Sequence, residues 1–107
     1  MDDLDCPVPQ HFLFGTVRVH VRCRDSQRPL EGVLVRVADS HEAALGQQCG
    51  FHMTVTGRDG WAEVEVPFGF VVASVGHLLQ EGWVGVDQVE EFCFVAGRRD
   101  VQLVGAP

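Results

Sequence analysis

From Phe14 to Arg24, apolar and polar side chains alternate without a slip. Val17, Val19, Val21 and Cys23 fall on one side, and Thr16, Arg18, His20, Arg22 and Arg24 on the other. A period of two is the signature of a β-strand with one buried and one wet face. Val33, Val35 and Val37 repeat the pattern, with Leu34 and Arg36 opposite them. A third strand is predicted over Phe51–Thr56 and a fourth over Trp61–Val66, with Ala62, Val64 and Val66 inward and Glu63 and Glu65 outward. Phe70–Val75 is almost continuously apolar, which predicts a strand buried on both faces.

The later part of the chain reads less regularly. Gly76–Gly82 is expected to be a loop with a helical turn at His77–Gln80, followed by a short strand over Trp83–Val86. Val89–Val95 and Arg99–Val104 are expected to close as a hairpin around Ala96-Gly97-Arg98. Residues 39–49 break the alternation, either as a helical turn capped by Ser40 and ended by Gly46 or as a plain loop. About seven strands in one chain of 107 residues predict an all-β, two-sheet antiparallel Greek-key sandwich of the transthyretin-like or immunoglobulin-like kind. The expected division is an acidic arm over residues 1–13, with Pro7 and Pro9, and a single sandwich domain over 14–107.

Three clusters of turn chemistry punctuate the strands. They are Pro29-Leu30-Glu31-Gly32-Val33, Thr56-Gly57-Arg58-Asp59-Gly60 and Pro67-Phe68-Gly69-Phe70. With Gly15-Thr16-Val17 at the first strand and Gly82-Trp83 further on, their order resembles the carboxypeptidase regulatory-like family of transthyretin-like sandwiches. The resemblance covers roughly residues 14–104 and implies a fold, because turn signals specify backbone and not activity. It also implies the settings in which such modules occur: secretion spikes, phage particles, surface proteins and peptidases. The segments at 1–12 and 39–49 depart from the family pattern.

Composition removes several kinds of chemistry. The chain has no Lys, Asn, Ile or Tyr, which points to a high-GC genome, bacterial or phage. It therefore has no Schiff-base lysine, no Lys–Asn isopeptide crosslink and no tyrosinate metal ligand. The last absence argues against the iron site of intradiol dioxygenases. The lack of Tyr, with the ending Val104-Gly105-Ala106-Pro107, argues against transthyretin-like hydrolases of the urate pathway. A net charge of −7 disfavours nucleic acid, which binds through counterion release to basic surfaces, and anionic membranes. No stretch is apolar enough to span a bilayer and no signal segment opens the sequence. The expected location is cytoplasmic or within an assembly. Cys6, Cys23, Cys49 and Cys93 show no C-x-x-C pair and are read as free thiols, two disulfides being the alternative for a secreted chain.

No catalytic residue and no cofactor is expected, and zinc has only a weak candidate pair in Cys49 and His52, with His41 nearby. The binding candidates are the basic stripe Arg18, His20, Arg22 and Arg24 and the aromatics Trp61, Trp83 and Phe12. A charged strand face is ordinarily just solvated. The sharper reading is an electrostatic docking face that, with acidic groups elsewhere at Asp2, Asp3, Asp5, Glu81, Asp87, Glu90 and Glu91, permits head-to-tail association. The leading function is a non-enzymatic interaction or structural module that docks onto a larger protein or enters a homo-oligomeric assembly. The alternatives are a carbohydrate-binding module using exposed Trp residues and a small hydrolase or metal enzyme.

Overall fold

The computed structural model describes residues 13–39 and 51–104. Seven strands run in the order β1 (Phe14–Cys23), β2 (Leu34–Asp39), β3 (Phe51–Val55), β4 (Trp61–Pro67), β5 (Gly69–Val75), β6 (Leu78–Val84) and β7 (Val89–Ala96), followed by one 3-10 turn at Arg98–Asp100. They form two sheets, β4-β1-β7 and β3-β2-β5-β6. The sandwich expected from the alternation is therefore present. The chain crosses from one sheet to the other after β1, β3, β4 and β6. Expectations at Phe12, His41 and Cys49 lie outside the described residues.

The core is built from the alternating positions. Val17, Val19 and Val21 of β1 face Val35 and Val37 of β2 and Val71, Ala73 and Val75 of β5 across the sandwich, all buried. Phe92 and Phe94 of β7 fill the remaining volume. Valine suits this interior because its branched side chain is stiff and loses little freedom in an extended backbone.

Three local expectations are corrected. Phe70–Val75 is not buried on both faces: Val71, Ala73 and Val75 are inward, while Phe70 is exposed and Val72 and Ser74 are half-buried. The predicted loop at 76–82 is mostly strand, because Gly76 (φ +61°) turns the chain tightly and β6 pairs along the whole of β5. Gly82 does not mark a loop; a side chain there would meet the Phe92 ring at 2.9 Å. The hairpin expected over 89–104 does not form. β7 instead runs parallel to β1, from Thr16↔Val89 to Cys23↔Ala96, so one pair in the sandwich is not antiparallel. Gly97 is extended at φ −78°, not in the left-handed conformation of a hairpin turn.

The turn motifs serve as crossings between sheets. Pro29 bridges to Arg22 of β1, and Leu30 is buried with its amide on the Val21 carbonyl. Val33 then bridges Leu103, and the Leu34 amide donates to the Gln102 carbonyl at 2.8 Å, as the chain enters the second sheet. Thr56 fastens this crossing. Its buried hydroxyl donates to the Leu30 carbonyl at 2.6 Å and accepts the Val33 amide at 2.9 Å. Its backbone also pairs with Gly32 and Val33. At the β4–β5 crossing Phe68 alone separates the strands, and Gly69 takes φ +134°, a conformation that side chains disfavour.

Thr56→Val keeps the shape but strands a buried carbonyl and a buried amide, which should cost about 2–4 kcal/mol in urea unfolding. Thr56→Ser keeps both hydrogen bonds and should lose less than about 1.5 kcal/mol. Equal losses would contradict the role given to the hydroxyl.

Candidate functional site

The basic stripe lies on β1, which is the middle strand of its sheet and not an edge. Register therefore sets acids beside it: Arg18 lies opposite Glu63 on β4 and Glu91 on β7. Arg18 Nη1 donates to Glu91 Oε2 at 3.0 Å, and Nε sits 3.2 Å from Glu63 Oε2. The Nε atom is buried and makes no aligned hydrogen bond, so its attraction to Glu63 is coulombic. The guanidinium also stacks 4.3 Å above the Trp61 ring. His20 packs on the same ring at 4.8 Å, and its Nε2 lies 3.1 Å from the Asp59 carbonyl, which it can approach only as a donor. Arg18, His20 and Trp61 are thus partnered within the fold. Arg24 pairs with Asp100 at 3.2 Å, and Arg22 is exposed beside them.

The two tryptophans separate. Trp61 is half-buried on the three-stranded sheet, whereas Trp83 is 62% exposed on the outer face of the four-stranded sheet. There it pairs across strands with Phe70. The same face carries Leu79 from β6 and Met53 and Val55 from β3; Arg36 and Ser74 lie in the row between Met53 and Leu79, and Leu34, Ala38 and Val72 lie in the neighbouring rows. Met53 is 65% and Leu79 67% exposed. Among the described residues the charged side chains of this face are Arg36 and Glu81. Five large apolar side chains exposed on one sheet face is unusual for an isolated module. Sequence reading found Trp83 but missed Met53, Leu79 and Phe70, because Leu79 was placed in a loop and Phe70 in a doubly buried strand.

A third feature lies at the end of β1. The turns 23–28 and 97–100 enclose an open cleft of about 970 Å³ lined by Cys23, Arg24, Ser26, Arg28, Arg98, Arg99 and Asp100, with Asp25 and Gly97. The Cys23 thiol is pulled below its ordinary pKa by the backbone amide of Ser26, aided by the Ser26 side chain and the Asp25 amide. Among the described residues Cys23 and Cys93 are free; Cys23 is buried, as expected of a small hydrophobe, and Cys93 is exposed. Arg28, Arg98 and Arg99 were not singled out from the sequence, since the expected hairpin hid their convergence.

The remaining candidate is His52. It faces inward on β3, where Nε2 meets Oδ2 of the buried Asp39 at 2.9 Å. No group of three or more His, Cys, Asp or Glu placed to hold a metal occurs among the described residues. No helix among them is long and apolar enough to cross a membrane.

Comparison with solved structures bears on the fold. The chain is similar to part of the TIE protein of Bacillus anthracis, at 12% identity and a TM-score of 0.60, covering 79% of this chain and 17% of that one. It is similar to part of BcpA, the major pilin subunit of Bacillus cereus, at 12% identity and a TM-score of 0.54, covering 76% and 29%. GBS52, the minor pilin of the Gram-positive pathogen Streptococcus agalactiae, matches at 11% identity and a TM-score of 0.57, covering 90% and 48%. The fold is an immunoglobulin-like β-sandwich. The chain spans less than half the length of each of these proteins. No protein-family model and no curated relative matches the sequence.

Asp100 offers a test of the cleft's construction. Its carboxyl is held below the ordinary carboxylate range by the Gly97 amide, which donates at 3.0 Å, and by the Arg24 guanidinium; desolvation works against them. A depressed folded-state pKa means that this hold is present at neutral pH and is lost as pH falls through that value. Exchange of the Gly97 amide, corrected for its intrinsic rate, should therefore accelerate below about pH 4. Asp100→Asn should flatten that dependence, and an unchanged acid dependence would contradict it.

Proposed function

We propose that the chain is a non-catalytic β-sandwich module that docks onto a larger protein or a multi-subunit assembly through the outer face of its four-stranded sheet. The observation that carries this reading is the set Met53, Val55, Phe70, Leu79 and Trp83, exposed together on one face. Each large apolar side chain left in water forgoes about 1.5–3 kcal/mol of burial, so a partner that covers the face gains affinity. An aromatic pair such as Phe70 and Trp83 is the kind of anchor that dominates protein interfaces. The occupant is a flat, apolar protein surface with a basic group opposite the exposed Glu81. The likeness to pilin domains supports an assembly role, because pilin subunits share this fold. The finer family reading, carboxypeptidase regulatory-like, rests on the turn motifs and belongs to the same proposal. With no Lys and no Asn, the chain makes no Lys–Asn crosslink of its own, so the contact is non-covalent in that respect.

The carbohydrate reading depends on Trp83 with Phe70 and not on both tryptophans, since Trp61 is on the other sheet.

A photocrosslinking residue placed at position 53 or 79, introduced in the native cell, should yield one protein adduct of defined mass. Trp83→Glu should abolish it, and the same group at position 65 on the other sheet should give none. Adducts absent at 53 and 79, or equally abundant from 65, would overturn the proposal. Quenching of Trp83 fluorescence by an oligosaccharide would favour the sugar reading instead.

A further inference from the structure

The arginine cleft concentrates charge against the balance of the molecule. The chain has eight basic side chains, all Arg, and a net charge of −7. Four of the eight, Arg24, Arg28, Arg98 and Arg99, line one cleft whose carboxylates are Asp25 and Asp100. Asp100 is engaged with Arg24, and Arg28, Arg98 and Arg99 make no ion pair among the described residues. The local excess is two positive charges.

The two turns that carry these arginines are braced before any ligand arrives. Gln27 donates its backbone amide to the Cys23 carbonyl at 2.8 Å and its side-chain amide to the Arg24 carbonyl at 2.9 Å. The Arg24 amide donates to the Ala96 carbonyl at 3.0 Å, which ties the first turn to the strand leading into the second. Arginine forks on a fixed frame match carboxylates bidentately, so the site is suited to a segment bearing several closely spaced carboxylates.

Such a segment occurs in this chain as Asp2-Asp3-Leu4-Asp5. It is joined to the sandwich through Leu13, whose carbonyl accepts the Phe68 amide at the opposite end of β1 from the cleft. At roughly 3.3 Å per residue, the nine steps from Phe14 to Cys23 span about 30 Å. Asp5 lies eight residues before Leu13, and eight residues reach at most about 26–29 Å even when fully extended. The Asp5 backbone therefore falls short of Cys23 in its own copy, and the three carboxylates could meet that copy's arginines together only with residues 5–13 pulled fully straight. They can enter the cleft of another copy.

We propose that the arginine cleft receives the Asp2–Asp5 segment of a second copy and joins copies head to tail. The contact is heterologous, with a donor end and an acceptor end on each molecule, so it propagates into a chain or a ring. This deepens the assembly reading above and rests on it, but uses a different surface from the apolar sheet face. Because the cleft arginines are exposed, the contact weakens as salt screens it.

The test uses sedimentation velocity of the full chain in 20 mM and 500 mM NaCl. One variant carries Arg28→Glu, Arg98→Glu and Arg99→Glu; the other carries Asp2→Lys, Asp3→Lys and Asp5→Lys. Arg28, Arg98 and Arg99 are exposed, and circular dichroism melts check that each variant folds. The unaltered chain should self-associate at low salt and dissociate at high salt. Each variant alone should associate at least tenfold more weakly, and an equimolar mixture of the two should recover association, because each then offers the charge that the other's end requires. An unaltered chain that stays monomeric at low salt overturns the proposal, as does a mixture that recovers nothing. Variants that associate as well as the unaltered chain also overturn it. Leu79→Glu with Trp83→Glu should leave this association intact; its loss there would assign the contact between copies to the apolar face.

Discussion

Burial of one valine-rich side of β1 against β2 and β5 is the constraint on which everything else in this molecule depends. Val17, Val19 and Val21 are essentially without solvent contact, as are Val35, Val37, Val71 and Val75 across from them. Two sheets pack about 10 Å apart, a gap that short branched side chains fill without strain. β1 is also the only strand of its sheet with neighbours on both sides. The same period of two that hides its valines sends Arg18 and His20 outward between β4 and β7. The contacts of Arg18 with Glu63, Glu91 and Trp61 are thus a consequence of core burial and register.

Where residues alternated, the sequence was legible. β1, β2 and β4 follow from Val, Thr and Glu positions, and the tight turn at Asp59-Gly60 is present, with Gly60 at φ +79°. Long-range pairing was not legible. Nothing local announces that β7 runs parallel to β1, because that choice is made when Phe92 and Phe94 enter the core. Glycine at 82 read as a loop signal when its role is to lie beneath the Phe92 ring. The apolar run at 70–75 read as doubly buried, since sequence shows hydrophobicity but not whether a second layer exists to cover it.

That last point also explains the uneven legibility of the binding candidates. Arg18 looked like a free charge because its acids come from strands distant in sequence, Glu63 and Glu91. The cleft was invisible because Arg28 and Arg98-Arg99 converge only after the chain has crossed the sandwich several times. Charge and hydrophobicity are therefore distributed by topology: on one sheet face the central Arg18 is paired with Glu63 and Glu91, the other exposes large apolar side chains, and one end is basic.

The most direct test of this account compares Val19→Thr with Val95→Thr. The two positions lie on adjacent strands of one sheet, but Val19 points into the sandwich and Val95, 37% exposed, points away. The account predicts that urea unfolding will show a loss of about 1–3 kcal/mol for Val19→Thr, where a hydroxyl is buried among valines, and a change within about 0.5 kcal/mol for Val95→Thr. Equal effects at the two positions would contradict the claim that alternate residues are sealed between two sheets.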